Sequence, residues 1–279
     1  MTPTFLAVGH FCYDVVPNGR IIGGPAAYSA ITARNLGWHA RAVTAVGADF
    51  DRQDPILENI AVVYHQSLET TIFENRYGED GRRQQFISGV ARDLLPHHIP
   101  REWRHTEVVY LCPIADEVHR ELVSGFEGAL VGVTPQGWMR QWDESGQVCP
   151  KRWISAQAIL SRADVLILSD EDIGAYPEDL EMYIQWAQIV VLTRGKHGAT
   201  LYENGQILES TAYPANEVDV TGAGDVFAAA FLTKYHGTRS LWKSLNFAHC
   251  VASFAVESRG IKGIPTLDQV YARLIPNWT

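Results

Sequence analysis

Six short apolar runs recur along the chain with helical stretches between them, and this alternation most constrains the fold. The runs are "FLAVGHF" (5–11), "ARAVTAVG" (40–47), "EVVYLC" (107–112), "ALVGVT" (129–134), "ADVLILS" (163–169) and "IVVLTR" (189–194). Several are apolar almost throughout, as parallel strands covered on both faces must be. Between them, "PAAYSAITARNLG" (25–37) places proline at a first helical position and glycine just past the end. Further helices are expected over 117–124, 153–162, 178–187 and 240–257. Such repetition predicts an α/β chain: a mostly parallel central sheet with helices on both faces.

Two segments read as hairpins. "TTIFENRYGEDGRRQQFI" (70–87) alternates apolar and polar residues about a Gly-Glu-Asp-Gly turn, and is more polar than the core strands. It is either a flap over a site or a solvent-facing excursion. "ATLYENGQILES" (199–210) turns at Asn204-Gly205, a strong local hairpin signal. No linker, low-complexity tract or internal repeat divides the chain. A single domain over 1–279 is expected, with a small β-lid contributed by about 11–24 and 64–90.

The net charge of −9 argues against a non-specific grip on nucleic acid or an anionic membrane. No apolar run approaches the roughly 20 residues of a membrane helix, and "MTPTFLAVGHF" lacks a signal-peptide pattern. The four cysteines are widely spread and form no CxxC pair, as expected of reduced thiols in a cytoplasmic protein. Adjacent His97 and His98 would point apart, no HExxH occurs, and no zinc site is expected.

"VDVTGAGDVFAAAF" (218–231) carries the chemistry. Gly222, Ala223 and Gly224 lead into an alanine-rich helix with a stripe at Val226, Phe227, Ala230 and Phe231 and a cap at Gly237. A helix start exposes unpaired N–H groups and the positive end of the dipole, so it holds an anion without a lysine. An acid at that start, Asp225, would oppose simple anion binding. It suits a base that takes the proton of a nucleophile attacking the anion; otherwise it is a first-turn acid that favours the helix. The segment is neither a P-loop nor a dinucleotide fingerprint, having no GxxxxGK[ST] and lying far from the first strand.

"DVTGAGDVFAAAF" resembles the C-terminal signature of the ribokinase-like (PfkB) carbohydrate kinases. "GGPAAYSAITARNLG" (23–37) is similar to that family's N-terminal di-glycine signature. "ADVLILSDEDI" (163–173), "VVLTRGKHGATLY" (190–202) and "FAHCVASFAVESRGI" (247–261) resemble its nucleotide-side segments, in family order. The resemblance implies a ribokinase-like three-layer fold and ATP-dependent phosphorylation of a hydroxyl, with Mg2+ and possible K+ involvement. It further implies a homodimer through the lid.

By that resemblance Gly222, Ala223 and Gly224 form an anion hole and Asp225 is the base. Asp14, Gly23 and Gly24 bind substrate, with Tyr28 standing where relatives commonly have asparagine. Asp172 ends the family's NxxE motif, here Ser169-Asp170-Glu171-Asp172, linked to magnesium through water. Thr193, Gly195, Gly198 and His249 fall on the nucleotide side, and Asp219 and Thr221 beside a monovalent cation. Other readings stand for several residues: a turn-former for Asp14, a turn cap for Asp219, packing for His249, and solvated charge for Arg82 and Arg83.

"GHFCYD", "GGPAAY" and "SDED" look most like the inositol-kinase branch, so myo-inositol is the expected acceptor. Alternatives are a nucleoside kinase, with Trp38, Tyr28 or Phe11 stacking on the base, another sugar kinase of the ribose or fructose type, or a non-catalytic sensor.

Overall fold

The computed structural model describes residues 2–77 and 83–274. Its strands in chain order begin with β1 (Thr4–Val8), β2 (Cys12–Val16), β3 (Gly19–Gly23), β4 (His39–Val46), β5 (Ala61–Gln66), β6 (Thr71–Tyr77) and β7 (Arg83–Ser88). There follow β8 (Val108–Leu111), β9 (Leu130–Val133), β10 (Arg140–Trp142), β11 (Val148–Pro150), β12 (Val165–Ser169), β13 (Ile189–Thr193), β14 (Ala199–Glu203) and β15 (Gln206–Ser210). The helices are α1 (Pro25–Asn35), α2 (Ala156–Leu160), α3 (Asp170–Ile173), α4 (Asp179–Trp186), α5 (Ala223–Thr238), α6 (Leu241–Ala255) and α7 (Leu267–Arg273).

Nine strands form the central sheet in the order β15-β14-β13-β12-β9-β8-β1-β4-β5. The strands from β13 to β5 pair in parallel, and β14–β15 adds an antiparallel edge. Period-2 alternation divides the apolar strands between two cores. Phe5, Ala7, Tyr110, Ile167 and Val191 face the layer of α1, α5 and α6. Leu6, Val8, Val109, Leu166 and Val190 face the opposite layer with α2 and α4. This three-layer α/β arrangement is the expected one, and all six apolar runs are strands of it.

A second sheet, β3-β2-β6-β7, stands apart. Its outer pairs are antiparallel, while β2 and β6 run parallel. The Gly-Glu-Asp-Gly turn expected between β6 and β7 lies outside the described residues, as does Arg82. A two-stranded ribbon, β10–β11, leans on this sheet: Ile87 N–H donates to Gly146 O at 2.8 Å.

Three local expectations differ from the structure. Residues 117–124 form no α-helix: only Arg120–Ser124 coil, as a tight 3-10 turn whose start His119 caps through Glu121 N–H. Gly237 does not end α5, which runs to Thr238 before Arg239 adopts the left-handed conformation (φ 51°). Nor is α5 apolar on a stripe alone. Val226 through Thr233 are all buried, because the helix lies between the sheet, α1 and α6.

Candidate active site

The carboxyl ends of the central strands open into one cavity of about 930 Å³, roofed by the second sheet. Asp225 lies on its floor, in the first turn of α5. Gly222 precedes the helix in the left-handed conformation (φ 77°), a backbone that glycine adopts without penalty. A side chain at 222 is also excluded by space, since a Cβ would lie 2.5 Å from Cζ of Tyr28 and closer still to the ring edge. The N–H groups of Gly222, Gly224 and Asp225 have no partner among the described residues, whereas Ala223 N–H turns back to Val220 O at 3.2 Å. Three open amides therefore face the cavity at the positive end of a 16-residue helix.

The Asp225 side chain caps nothing. The Tyr110 hydroxyl, which also meets Thr134, approaches Asp225 Oδ1 at 3.4 Å. Burial drives the Asp225 pKa up to about 7, opposed by the Tyr110 contact; Asp172 and Asp14 add to the rise, and the positive charge of Arg140 limits it. A carboxylate tuned near neutrality is suited to accepting a proton.

Asp14 reaches the same cavity from the middle of β2, so it forms no turn. Its Oδ2 is buried without a partner among the described residues. Burial, then the charge of Asp219, pushes its pKa up to about 6. Gly23 makes room for it: a Cβ there would stand 2.9 Å from Asp14 Cγ and nearer to Oδ2. Gly24, at φ 94°, starts α1 beneath it. The Tyr28 ring packs under Gly222, and its hydroxyl is buried without a described partner.

Of the remaining expected residues, Asp172, Thr193, Gly195, Gly198, Thr221 and His249 line the cavity's other end, and Asp219 lies behind its wall. Asp172 Oδ2 accepts from Ser169 N (2.8 Å) and Ser169 Oγ (2.7 Å), a capping box that fixes the turn from β12 into α3. Thr193 ends β13, and Gly195 and Gly198 follow it. His249 Nε2 meets Ser210 Oγ at 2.9 Å and its ring meets Phe227 edge-on at 5.0 Å. Burial lowers its pKa to about 4, so it is neutral at pH 7. Asp219 braces its loop, accepting from Thr221 N (3.0 Å) and Gly260 N (3.4 Å). Among the described residues no three His, Cys, Asp or Glu side chains cluster as metal ligands.

Sequence reasoning missed the wall of the Asp14 end. Phe73, Asn75 and Gln85 enter from β6 and β7, and Gln136 and Arg140 from the segment leading into β10. Asn75 and Gln85 are opposed across the strands and bonded at 3.2 Å. Alternation over 70–87 held a signal for the first three; nothing local marked Arg140. Phe11 and Trp38 do not line the cavity. Phe11 packs against Phe50 and Tyr64, and Trp38 against His236.

Residues 146–267 match the pfkB family carbohydrate kinase. A cytidine kinase of Thermococcus kodakarensis is 28% identical over 253 residues, covering 85% of this chain and 90% of its own. Among solved structures, a pyrophosphate-dependent kinase in the ribokinase family, complexed with a pyrophosphate analog and myo-inositol, superposes with a TM-score of 0.80. It is 22% identical, over 97% of this chain and 100% of that one. A fructokinase with bound ATP from Xylella fastidiosa gives 0.78 at 20% identity, over 98% of both chains. The C-terminal part of the chain thus matches the pfkB carbohydrate kinases, the whole of it has the ribokinase fold, and the curated relatives of nearly equal length that it resembles are kinases of nucleosides and sugars.

Proposed function

We propose that this kinase transfers the γ-phosphoryl group of ATP to a hydroxyl of a small uncharged polyol, myo-inositol being the best candidate. The observation that carries the reading is the single cavity joining Asp14 and Asp225 to the Thr193–Gly198 loop and His249. An acceptor at the Asp14 end and a donor at the His249 end would meet over the open amides of α5.

In this reading Asp14 accepts hydrogen bonds from acceptor hydroxyls, which positions one of them beside Asp225. As that oxygen attacks the γ-phosphorus, its proton passes to Asp225. The bond from phosphorus to the β,γ-bridging oxygen breaks, and ADP leaves. Negative charge on the phosphoryl oxygens is met by the N–H groups of Gly222, Gly224 and Asp225. Magnesium, when bound, neutralises donor phosphates, and Asp172 is the residue that would hold its water shell. Asp219 and Thr221 would frame a potassium ion. The sheet β3-β2-β6-β7 would act as the lid, excluding water from the transfer.

The cytidine kinase relative favours a second acceptor class, nucleosides. Against it, of the three aromatics that could have stacked on a base, Phe11 is buried in the core and Trp38 lies against His236 away from the cavity, which leaves Tyr28 alone lining it. The inositol-bound neighbour is pyrophosphate-dependent, which makes pyrophosphate the competing donor to test. The long donor end, running past Tyr213 and Val218 to Val256, suits a nucleotide better. One experiment separates these readings: rates for inositols, hexoses, pentoses and nucleosides, each with ATP and with pyrophosphate. The expected result is fastest turnover with an inositol and ATP. Faster turnover of cytidine or adenosine would overturn the polyol reading, and faster turnover with pyrophosphate the donor.

A further inference from the structure

We propose that Arg140 is an acceptor-binding and specificity-determining residue of this kinase, its guanidinium donating hydrogen bonds to oxygens of the acceptor held by Asp14. The inference rests on the polyol kinase reading and names a residue that reading does not include.

Position carries the first part. Arg140 is half-buried and lines the Asp14 end of the cavity, with Phe73, Asn75, Gln85 and Gln136. Among the described lining residues the cationic side chains are Arg140 and Lys196, and Lys196 is exposed at the far end, in the Gly195–His197 turn. The Arg140 charge reaches the reacting end as well, for it lowers the pKa of both the Cys12 thiol and the Asp225 carboxyl against the effect of burial.

Rigidity carries the second part. Arg140 is the first residue of β10, directly after buried Trp138 and Met139. Trp138 stacks on Trp153 with centroids 5.1 Å apart, and its indole N–H donates to Val118 O at 2.8 Å. Lys151 N–H closes the ribbon's base on Met139 O, also at 2.8 Å. The ribbon's far end is tied to β7 through Ile87 and Gly146. The guanidinium lies 6.0 Å from the Phe73 ring of β6. Both ends of the ribbon are thus fixed, one to the central layer and one to the small sheet. A guanidinium held this way presents its fork of donors at little further entropic cost.

The chemistry defines what such a pair selects. A carboxylate such as Asp14 only accepts hydrogen bonds, and a guanidinium only donates them. A hydroxyl can satisfy either, so neighbouring hydroxyls on a small ring can serve both at once. Asp14 alone would take any group bearing a proton. Arg140 adds a demand for acceptor oxygens and penalises a deoxy analogue, which offers the guanidinium one acceptor fewer.

The test compares wild-type enzyme with Arg140→Gln and Arg140→Lys, on the best acceptor from the panel and on its monodeoxy analogues, with thermal melting to confirm folding. Hydrogen bonds to a charged group predict an acceptor KM raised about 10- to 100-fold in Arg140→Gln. The KM for ATP should stay within about twofold, since only acceptor binding is removed. Arg140→Lys should fall between, keeping charge but not the fork. One monodeoxy analogue should be poor for the wild type and lose little further in Arg140→Gln. An unchanged acceptor KM in a folded Arg140→Gln enzyme, or equal rises in both KM values, overturns the role of Arg140 while the kinase reading stands. A wild type that prefers a nucleoside sinks the polyol reading, and Arg140 is then judged on that nucleoside. A wild type that phosphorylates no member of the panel sinks both.

Discussion

Replacing Asp225 with asparagine should separate catalysis from stability. The substitution keeps the shape and one acceptor oxygen but removes the charge. Loss of a general base costs about 100- to 10,000-fold in turnover. The stability effect runs the other way. The carboxyl has its pKa raised from 3.8 to about 7 in the folded chain, chiefly by burial. A raised folded pKa means that the native state binds the proton more tightly than the unfolded one. Its contribution is present below the unfolded pKa and is lost as pH rises through about 7. At 1.36 kcal/mol per unit, ionised Asp225 costs the fold up to about 4 kcal/mol above neutrality. The cavity side is open to water, so this is an upper bound. The favourable interaction of an acid with the helix start, about 0.3–1 kcal/mol, opposes it. Asp225→Asn should therefore be more stable than wild type at pH 8, lose most of that advantage by pH 5 and lose the rest only below the unfolded pKa of 3.8. Denaturant unfolding at both pH values and steady-state turnover on the same preparation check this. Turnover within about threefold of wild type refutes the base, given the loss expected for one. Parallel stability curves refute the electrostatic reasoning.

Gly222→Ala should lower turnover sharply and destabilise the fold by about 1–3 kcal/mol, because it meets both the left-handed backbone and the Tyr28 ring; an unperturbed enzyme would show that the α5 entrance can relax. Tyr28→Phe removes a buried hydroxyl without a described partner and should raise unfolding stability by about 1 kcal/mol in the absence of acceptor; a loss of stability would mean that the hydroxyl is satisfied. Turnover should be higher in potassium than in sodium or tetramethylammonium, and equal rates in all three would remove the cation from the Asp219 loop. Amide exchange in β6 and β7 should slow when acceptor is added, and protection by ATP alone would detach these strands from acceptor binding.

Legibility in the sequence followed burial geometry. β1, β8, β12 and β13 were readable because both faces of each are covered, which forces an apolar residue at nearly every position. β5, "AVVYHQ", went unmarked: it is the sheet's edge, half-buried, and its pattern is diluted. β10 and β11 have three residues each and show too few positions for any period to register. The helix expected at 117–124 failed because its apolar spacing serves loop packing, with Glu117 buried and accepting from the N–H groups of His10, Ile114 and Ala115.

The site divided in the same way. One half is local: Gly222 through Asp225 form one turn, and Ser169 through Asp172 another, so a short motif contains each whole. The half around Asp14 is assembled from β2, β6, β7 and the start of β10, and no short window contains two of those elements beyond a single hairpin. Tyr28 joins the halves. Its ring fills the space that a side chain at 222 would need, beneath the open amides. A residue expected at the Asp14 end therefore also shapes the turn of open amides, a coupling that arises only when α1 and α5 pack together. The glycine at 222 and the tyrosine at 28 form one steric unit, so a bulkier residue at the first position would require a smaller one at the second.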